Sequence, residues 1–394
     1  MNILIIPSWY PTKNSPLSGI FFKEQAIALA KYYPKDKFTV CYWHDYSIKE
    51  YWKILFLKNI FKKTDKNLTT YIIKQNIILP NKLSKFIGGL DFILSRKIKC
   101  LVKLFKDANI DIIHAHVSYP SGYLAMLLSF ELKIPYIITE HMSPFPFKSY
   151  PFIKNNLITK YVSLPLKYAN KVVAVSNALA NRIESFGFKR PIVIPNMVNE
   201  NVFKPFKSFQ AKEFVFFSLS ILSKQKGIDI LINAFARLIS LNYKVKLVIG
   251  GDGAIKGSLK FLAKQLKVSQ YIQWLNYVSR DNAVKYYNEC SCFILPSRHE
   301  TFGIVYAEAI ACGKPIIATK CGGPEDIVNE HNGLLCEVGN IFDLTEKMCY
   351  MIDNYEKYDS KIIREDFDAR FSQKIVSKRI FEVYNQVRFN RCVE

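Results

Sequence analysis

Hydrophobic residues in this chain follow two alternating patterns. Short continuous runs rich in Ile, Val, Leu and Phe are typical of strands buried on both faces, and longer segments with apolar residues every three or four positions are typical of helices. Strands are predicted at residues 1–7, 38–43, 111–116, 135–139, 171–176, 192–195, 214–218, 244–249, 272–276, 292–296 and 315–319. Helices are predicted at residues 20–31, 122–132, 227–240, 254–266, 280–288 and 372–387, with lysine-rich helical material within 47–106. The alternation predicts an α/β protein with mostly parallel sheets covered by helices.

The length of the chain predicts two domains, because 394 residues exceed what one ordinary core supports. Residues 195–203 interrupt the pattern near the middle and are interpreted as a linker. We therefore assign residues 1–200 to a first domain, 201–371 to a second domain and 372–394 to a terminal helix.

Cysteine usage and apolar run lengths indicate the compartment. The nine cysteines include no CxxC pair, which favours a reducing cytoplasm. No apolar run approaches the roughly 20 residues of a membrane span, and no signal peptide is predicted at the N-terminus.

Positive charge is concentrated in the first half. The formal net charge is +22, and residues 1–200 hold 28 Lys and Arg against 12 Asp and Glu. Residues 47–106 alone hold 14 basic and 3 acidic side chains, with aromatic and aliphatic residues among them. A basic amphipathic surface of this kind is typical of binding to anionic lipid. It could equally bind nucleic acid or be a solvated face, and these three interpretations stay open.

The segment Glu300-Thr-Phe-Gly-Ile-Val-Tyr-Ala-Glu308 carries the strongest chemical signal. It follows a predicted strand, so Glu300 is expected in a loop at the ligand-binding edge of a parallel sheet. Glu308 is expected about one and a half turns into the following helix. The amides at the start of that helix, near Gly303, would face an anion. Two acids beside an anion site suit a ligand with phosphates and hydroxyls, such as a nucleotide sugar.

Together with Gly313-Lys-Pro315, Ala318-Thr319 and Gly322-Gly-Pro-Glu325, this segment resembles the acidic-pair region of retaining glycosyltransferases of family 4. The resemblance covers nearly the whole chain and is strongest over residues 214–330. It implies the GT-B fold, in which two Rossmann-like domains face each other across a cleft and the C-terminal helix packs on the N-terminal domain. It also implies that the first domain holds the acceptor and the second holds the nucleotide sugar.

The resemblance implies roles for individual residues. Glu308 would bind the ribose hydroxyls, and Glu300 would hold the sugar hydroxyls and stabilise an oxocarbenium-like state. Lys226, in a lysine-glycine turn, would neutralise the departing diphosphate. His141 matches the family's histidine that contacts the transferred sugar, and His116 is a candidate acceptor-side residue. The predicted catalytic residues are therefore Glu300, His141 and Lys226.

A wider donor-binding set follows from the same resemblance. Its predicted members are Gly19, Gly250, Gly251, Tyr277, Thr301, Phe302, Gly303, Ile304, Val305 and Glu308. The family often has an arginine five residues before the lysine, also on the diphosphate. Ile221 occupies that position here, so one phosphate cation is missing, and Lys224 is a candidate substitute.

One motif points to a metal and is set aside. Asp366-Phe-Asp368 matches the metal-binding DxD of the other large glycosyltransferase fold, but it lies ahead of the terminal helix and does not end a predicted strand. We therefore predict no metal site and no cofactor. The predicted donor is a UDP-sugar rather than a GDP-sugar.

Together with the resemblance, these observations predict a glycosyltransferase that moves a sugar to a lipid-linked or saccharide acceptor in bacterial surface-polysaccharide synthesis, such as lipopolysaccharide or capsule. Retention at the anomeric carbon is implied by the resemblance alone. Its predicted partners are a nucleotide sugar, a lipid-linked saccharide and an anionic membrane surface, with no nucleic acid. Its predicted location is cytoplasmic and peripheral, on the inner face of the bacterial plasma membrane. A nucleotide-sugar 2-epimerase of the same fold and a non-enzymatic nucleic-acid-binding protein remain alternatives. The donor sugar, its base, the acceptor, the linkage and the oligomeric state are not determined by these patterns.

Overall fold

A computed structural model describes residues 1–12, 15, 18–44, 60–74, 89–146, 153–154, 157–206 and 213–391. The chain divides into two compact units. The first comprises Met1–Val175, Leu179–Ile194 and Ser377–Glu394, and the second comprises Ser176–Ala178 and Pro195–Val376. None of the helices in the described part of the chain is long and apolar enough to span a bilayer.

The first unit is built on an eight-stranded sheet. Its strands are β1 (Asn2–Pro7), β2 (Lys37–His44), β3 (Ile60–Asp65), β4 (Leu68–Lys74), β5 (Ile112–His116), β6 (Tyr136–Glu140), β9 (Lys171–Ala174) and β10 (Ile192–Val193), with a separate short hairpin of β7 (Ile153–Lys154) and β8 (Leu157–Ile158). The sheet order is β10-β9-β6-β5-β1-β2-β4-β3. All pairs are parallel except β3 with β4. The central strands β5 and β6 are buried along their whole length, and each carries polar side chains only toward its carboxyl end, apart from the more central His114 of β5.

The strand order of the first unit reverses between β1 and β5, where open α/β sheets bind ligands beyond the carboxyl ends of the strands. The pairing register sets Pro7 opposite His116 and His116 opposite Thr139. The side chains at this edge are therefore brought together by three strands that are far apart in sequence.

Helices cover this sheet. They are α1 (Ile20–Tyr32), α2 (Gly89–Phe105), α3 (Tyr123–Leu132), α4 (Lys160–Tyr168) and α5 (Asn177–Glu184), with an irregular turn at Ser118–Gly122 before α3. The terminal helix, Gln373–Arg391, contributes most of its length to the same unit. On that helix Phe381 stacks on Tyr33 with ring centroids 3.6 Å apart, and the Tyr384 hydroxyl is 2.7 Å from His114 Nδ1.

The prediction of lysine-rich helical material within residues 47–106 is wrong for residues 60–74, which form the hairpin of β3 and β4. The hairpin tip is held in place by Asn67, whose side-chain amide donates to the carbonyls of Ala30, Tyr33 and Asp36 at 2.8–3.1 Å. Because this support comes from α1 and the residues after it, local sequence could not show it. Of the basic segment 47–106, residues 47–59 and 75–88 lie outside the described residues. Gly89–Phe105 form the helix α2, as predicted.

The second unit contains a six-stranded, fully parallel sheet. Its strands are β11 (Phe214–Leu219), β12 (Val245–Gly250), β13 (Ile272–Trp274), β14 (Cys292–Leu295), β15 (Ile316–Thr319) and β16 (Gly333–Cys336). Their order is β13-β12-β11-β14-β15-β16, so the sheet reverses direction between β11 and β14. This is the doubly wound order, with its ligand crevice at that point. The residues that follow β11 and β14 are thus placed at a ligand-binding edge.

The helices of the second unit pack on both faces of its sheet. They are α6 (Ile228–Ser240), α7 (Lys256–Gln265), α8 (Arg280–Glu289), α9 (Ile304–Ala311), α10 (Ile341–Asp353) and α11 (Ser360–Arg370). The terminal helix, Gln373–Arg391, which belongs mostly to the first unit, is α12. Most apolar side chains of α6, and all those of the strands β14 and β15, are buried and form the core beside the crevice. The strand and helix predictions for this half are confirmed to within a few residues at each end.

Candidate active site

The loop after β14 presents Glu300 at the edge where the sheet of the second unit reverses. Its side chain is 8% exposed, and one carboxylate oxygen accepts from Lys226 Nζ at 2.6 Å and from Ser297 Oγ at 2.8 Å. The Glu300 backbone bridges to the segment after β15, where the Gly323 amide donates to the Glu300 carbonyl. These side-chain and backbone contacts together fix the position of the Glu300 carboxylate, with the Lys226 cation beside it. The Ser297 contact is one that the sequence analysis did not identify.

Lys226 reaches Glu300 because its turn lies directly against the loop after β14. Gly227 has φ of +65°, and a Cβ on it would lie 1.9 Å from the Pro296 carbonyl oxygen, so only glycine permits this approach. The amide of Arg298 donates to the Gln225 carbonyl, and the Gln225 side chain donates to the His299 carbonyl. The two loops, 74 residues apart in sequence, are therefore joined into one surface.

Glu308 lies within α9 and is 4% exposed. Arg280 Nη2 donates to one of its oxygens at 2.7 Å, and the Tyr287 hydroxyl lies 3.1 Å from the other. Burial, and then the charge of Glu308, raise the pKa of Tyr287 far above its ordinary value, so that the hydroxyl stays a donor. Neither partner was identified from the sequence. Their spacing of seven residues on the predicted helix at 280–288, which places both side chains on one face, was the available signal.

The start of α9 lies between the two glutamates. Gly303 precedes the helix with φ of +87°, and no side chain caps it. The first amides of a helix have no intrahelical acceptor, so those near Ile304 and Val305 are suited to an anion. Thr301 is partly exposed beside them, whereas Phe302 is 2% exposed and packs on Phe371. Phe302 therefore supports the loop, and its backbone rather than its ring is available for donor contact.

The remaining predicted donor residues of this unit lie at other loops. Gly250 ends β12, and a Cβ on Gly251 would lie 1.8 Å from the Ser220 carbonyl oxygen, which explains that glycine as a close backbone approach. Tyr277 is 59% exposed in the loop before α8. Ile221 is 72% exposed, so an apolar side chain is in contact with solvent at the position where the resemblance described above implies an arginine. In the turn before α6, the Lys224 carbonyl accepts from Arg298 at 2.5 Å.

In the first unit, two of the predicted histidines are paired. His141 follows β6 and is 8% exposed, and its Nε2 lies 3.1 Å from Nδ1 of His116 at the end of β5. His116, the candidate acceptor-side residue, is fully buried. Gly19 precedes α1 with φ of +67°, and a Cβ there would lie 2.7 Å from the Trp9 carbonyl oxygen.

Glu140 is a buried carboxylate beside this pair that the sequence analysis did not assign. One oxygen accepts from the Ser118 amide at 2.9 Å and from the Ser118 hydroxyl, and the other accepts from the amides of His141 and Met142, each at 2.9 Å. Burial raises the pKa of Glu140, and these donors act in the opposite direction. Glu140 therefore fixes the backbone on which His141 stands.

Metal ligation has no support in the described part of the chain, where no group of three or more His, Cys, Asp or Glu side chains could hold an ion. Asp366 and Asp368 lie on α11 and are bonded to arginines one turn away: Asp366 to Arg370 and Asp368 to Arg364. Asp366 also accepts from Asn332. Both carboxylates thus have structural partners.

Comparison with known proteins decides the family. The model of group 1 glycosyl transferases matches residues 200–365, and the model of glycosyltransferase family 4 matches residues 76–202. An uncharacterized glycosyltransferase of Methanocaldococcus jannaschii, MJ1178, is 32% identical over 323 residues, which span 79% of this chain and 86% of that protein. The chain belongs to glycosyltransferase family 4. It is therefore an enzyme, a transferase.

Further relatives of this glycosyltransferase include the Campylobacter jejuni N-acetylgalactosamine-N,N'-diacetylbacillosaminyl-diphospho-undecaprenol 4-alpha-N-acetylgalactosaminyltransferase, 28% identical over 64% of this chain and 70% of that one. Among solved structures, sucrose-phosphate synthase from Thermosynechococcus elongatus has a TM-score of 0.76 at 17% identity, covering 98% of both chains. Anabaena HepE in complex with UDP and glucose has a TM-score of 0.69 at 21% identity, covering 97% of this chain and 99% of that one. The glycosyltransferase thus has the GT-B fold, with two parallel-sheet domains.

Proposed function

We propose that this family 4 glycosyltransferase moves a sugar from a nucleoside diphosphate sugar to a lipid-linked saccharide, with retention at the anomeric carbon, in bacterial cell-surface polysaccharide synthesis. The observation that carries the proposal is the pair of buried glutamates on either side of the start of α9, each with its own cation. This arrangement offers acceptors for hydroxyl groups and donors for phosphate within one loop and one helix.

The diphosphate is assigned to Lys226 and the first amides of α9. Lys226 Nζ lies 2.6 Å from Glu300 and is about one-fifth exposed, so an incoming phosphate can share its charge without a large desolvation cost. Helix amides add a fixed positive potential that needs no reorganisation. We propose that these groups replace a metal ion as the stabiliser of the leaving diphosphate.

The sugar and ribose are assigned to the two carboxylates. Glu300, next to Lys226, is placed for the sugar hydroxyls and for the positive charge that develops at the anomeric carbon. Glu308, held by Arg280 and Tyr287, is placed for the ribose hydroxyls. The anomeric carbon exchanges its bond to the diphosphate oxygen for one to the acceptor oxygen, and the departing phosphate takes the acceptor proton. His141 is proposed to donate a hydrogen bond to the transferred sugar.

A UDP-sugar is the proposed donor, supported by the UDP and glucose in the structurally similar HepE complex. The test is a thermal-shift panel of UDP-, GDP- and ADP-sugars, because a ligand that binds the folded state raises the melting temperature. A shift with UDP-sugars that is reduced in Glu308→Ala supports the proposal. No shift with any nucleotide sugar contradicts it.

The rival activity, a nucleotide-sugar 2-epimerase, needs no acceptor. Incubation with the donor alone and analysis of the recovered sugar separates the two. A donor recovered with unchanged stereochemistry at C2, together with transfer once a lipid-linked acceptor is added, supports the transferase. Inversion at C2 without an acceptor would support the epimerase.

We further propose a lipid-linked acceptor and a peripheral position on the inner face of the plasma membrane. The related C. jejuni enzyme is named for a diphospho-undecaprenol acceptor. In the first unit, Lys62, Lys63 and Lys66 are exposed on the β3–β4 hairpin, and Lys74 lies over the Phe61 ring at 4.7 Å. Lysines beside exposed aromatic surface bind anionic headgroups at about 1 kcal/mol each. Lys58 lies outside the described residues.

Liposome co-sedimentation tests this surface. Binding to phosphatidylglycerol vesicles is expected to fall in high salt and to weaken when Lys62 and Lys63 are changed to glutamate. The matched control changes Lys244 and Lys264, exposed lysines of the second unit, to glutamate with the same loss of charge. Equal binding to neutral vesicles, no binding to either, or equal weakening in both variants would contradict the membrane proposal.

A further inference from the structure

Three histidines converge at the ligand-binding edge of the first unit. His114 and His116 lie on β5, with ring centroids 4.4 Å apart, and the His116 and His141 rings are 5.3 Å apart. Phe22 of α1 packs against both His116 and His141, at 4.7 and 5.0 Å. The proposed function uses only His141. The other two are buried titratable groups without a role in it.

His114 is held rigidly. Its Nδ1 lies 2.7 Å from the Tyr384 hydroxyl of α12, and its Nε2 lies 2.8 Å from the Thr139 hydroxyl. Burial lowers its pKa to about 3, so the ring is neutral at physiological pH. Both ring nitrogens of His114 are hydrogen-bonded and its side chain is fully buried. Its ring therefore has a fixed position, and the His116 ring packs against it.

His116 makes one side-chain hydrogen bond among the described residues, to His141 Nε2, and its own Nε2 is buried without a partner there. Burial, followed by the neighbouring His114 and His141, lowers the pKa of His116 well below its ordinary value. The ring is therefore neutral and carries one proton, on either Nδ1 or Nε2.

Two arrangements of that proton are possible. If His141 donates to His116, the proton of His116 sits on Nε2 as a buried N–H without an acceptor. If His116 donates from Nδ1, only a lone pair is left at its Nε2, and the proton of His141 lies on Nδ1, an atom that is also buried. His116 is 0% exposed and His141 is 8% exposed, so the second arrangement places the N–H on the ring that a ligand can reach. Because an N–H without an acceptor is the rarer case in folded proteins, the second arrangement is favoured for a protein whose His141 contacts a sugar hydroxyl.

From this geometry we propose that His116 is a positioning residue: it donates from Nδ1 to Nε2 of His141, fixes the ring orientation, and keeps the His141 proton on Nδ1. His141 then presents an N–H, as its proposed contact with a sugar hydroxyl requires. The inference rests on the proposed function for the choice of tautomer and for its catalytic consequence, and the tautomer is measured in the enzyme without substrate.

The first test measures the tautomer directly. The chain has six histidines, so selective ¹⁵N-histidine labelling gives a tractable spectrum, and the His141 signals are assigned with His141→Gln. In the wild-type protein the unprotonated nitrogen of His141 is expected to be Nε2, and in His116→Leu the residue should become a mixture of tautomers. A proton on Nε2 of His141 in the wild-type protein would overturn the proposal, whatever the enzyme transfers.

The second test is kinetic. His116→Leu is expected to lower kcat by about 10- to 100-fold, the range usual for losing a partner that orients a functional histidine, while the donor KM changes less than about twofold. His116→Asn keeps a polar atom near the position of Nδ1 and should recover most of the rate. In a His141→Ala background, His116→Leu should have no further effect. Additive losses, or no rescue by asparagine, would indicate a purely structural residue.

Tyr384→Phe is the matched control. It removes a buried hydroxyl from the same network without touching the His116–His141 bond, so it should lower the melting temperature while kcat stays within about twofold. If it reduces kcat as much as His116→Leu, general loosening of the unit explains both and the positioning role is wrong. If no sugar is transferred from any nucleotide sugar, the proposed function fails. The tautomer measurement still decides the role of His116 in that case.

Discussion

Replacing Arg280 with methionine tests whether the buried Glu308 carboxylate depends on its cation. The Arg280–Glu308 contact is 2.7 Å, and the two side chains are 22% and 5% exposed. Removing one partner of a buried ion pair typically costs about 3–5 kcal/mol, because the remaining charge stays desolvated. Water can reach the Arg280 side, and Tyr287 still donates to Glu308. We therefore expect the variant to lose about 2–4 kcal/mol of unfolding free energy.

The matched double variant, Arg280→Met with Glu308→Gln, removes both charges at nearly constant volume. Neutral replacement of a buried pair is often close to thermoneutral, and Tyr287 can still donate to the glutamine carbonyl. The double variant should therefore recover most of the stability lost by Arg280→Met. Donor binding, in contrast, should stay weak in the double variant, because it lacks the carboxylate proposed for the ribose hydroxyls.

Urea denaturation followed by circular dichroism measures the stability, and calorimetric titration with UDP measures the binding. A loss below about 0.5 kcal/mol in Arg280→Met would show that water already solvates Glu308. A double variant no more stable than the single one would show that Arg280 contributes by packing, including its contact 5.2 Å from the Phe203 ring, rather than by charge. Either result would refute the reasoning.

Four further outcomes are expected. Glu308→Ala should mainly raise the donor KM, whereas Glu300→Ala should mainly lower kcat, by about 100-fold; near-wild-type kinetics in both would contradict the site assignment. Ile221→Arg should lower the donor KM about fivefold, the equivalent of about 1 kcal/mol for a solvent-accessible charge pair, with Ile221→Gln as the uncharged control. Transfer should persist in EDTA; complete loss that Mn²⁺ or Mg²⁺ restores would contradict metal independence. His114 has an ordinary pKa of 6.5, lowered to about 3 by burial. The unfolded chain therefore takes up the proton first as pH falls, and stability should drop by about 2 kcal/mol between pH 7 and 5, less in His114→Gln.

Local pattern was sufficient for most of the strands and for the acidic loop. The buried strands β5, β14 and β15 contain short runs of neighbouring apolar residues, Ile112-Ile113, Cys292–Leu295 and Ile316–Ala318, which can be recognised from local sequence. Glu300 and Glu308 were identified because strand, loop and helix follow one another within a short segment. The β3–β4 hairpin was missed because the lysine-rich segment was interpreted as helical, although Leu68–Lys74 holds the threonine, tyrosine and isoleucine typical of a strand. The contacts that hold its tip come from Asn67 with α1 and the residues after it, which local sequence does not show.

Only the tertiary structure decided the partner of each charged or polar site residue. Lys226 meets Glu300 because β11 and β14 are neighbours in the sheet and Gly227 lets the two loops touch. His116 meets His141 because β5 and β6 pair in one register. Such contacts join residues 25 to 74 positions apart, and no pattern over a few residues encodes them. The sequence by itself determined which chemical groups stand at the ends of the strands, since that depends on local order. Their pairing, burial and protonation depend on the order and register of the strands in the folded sheet, because these bring residues that are far apart in sequence next to one another.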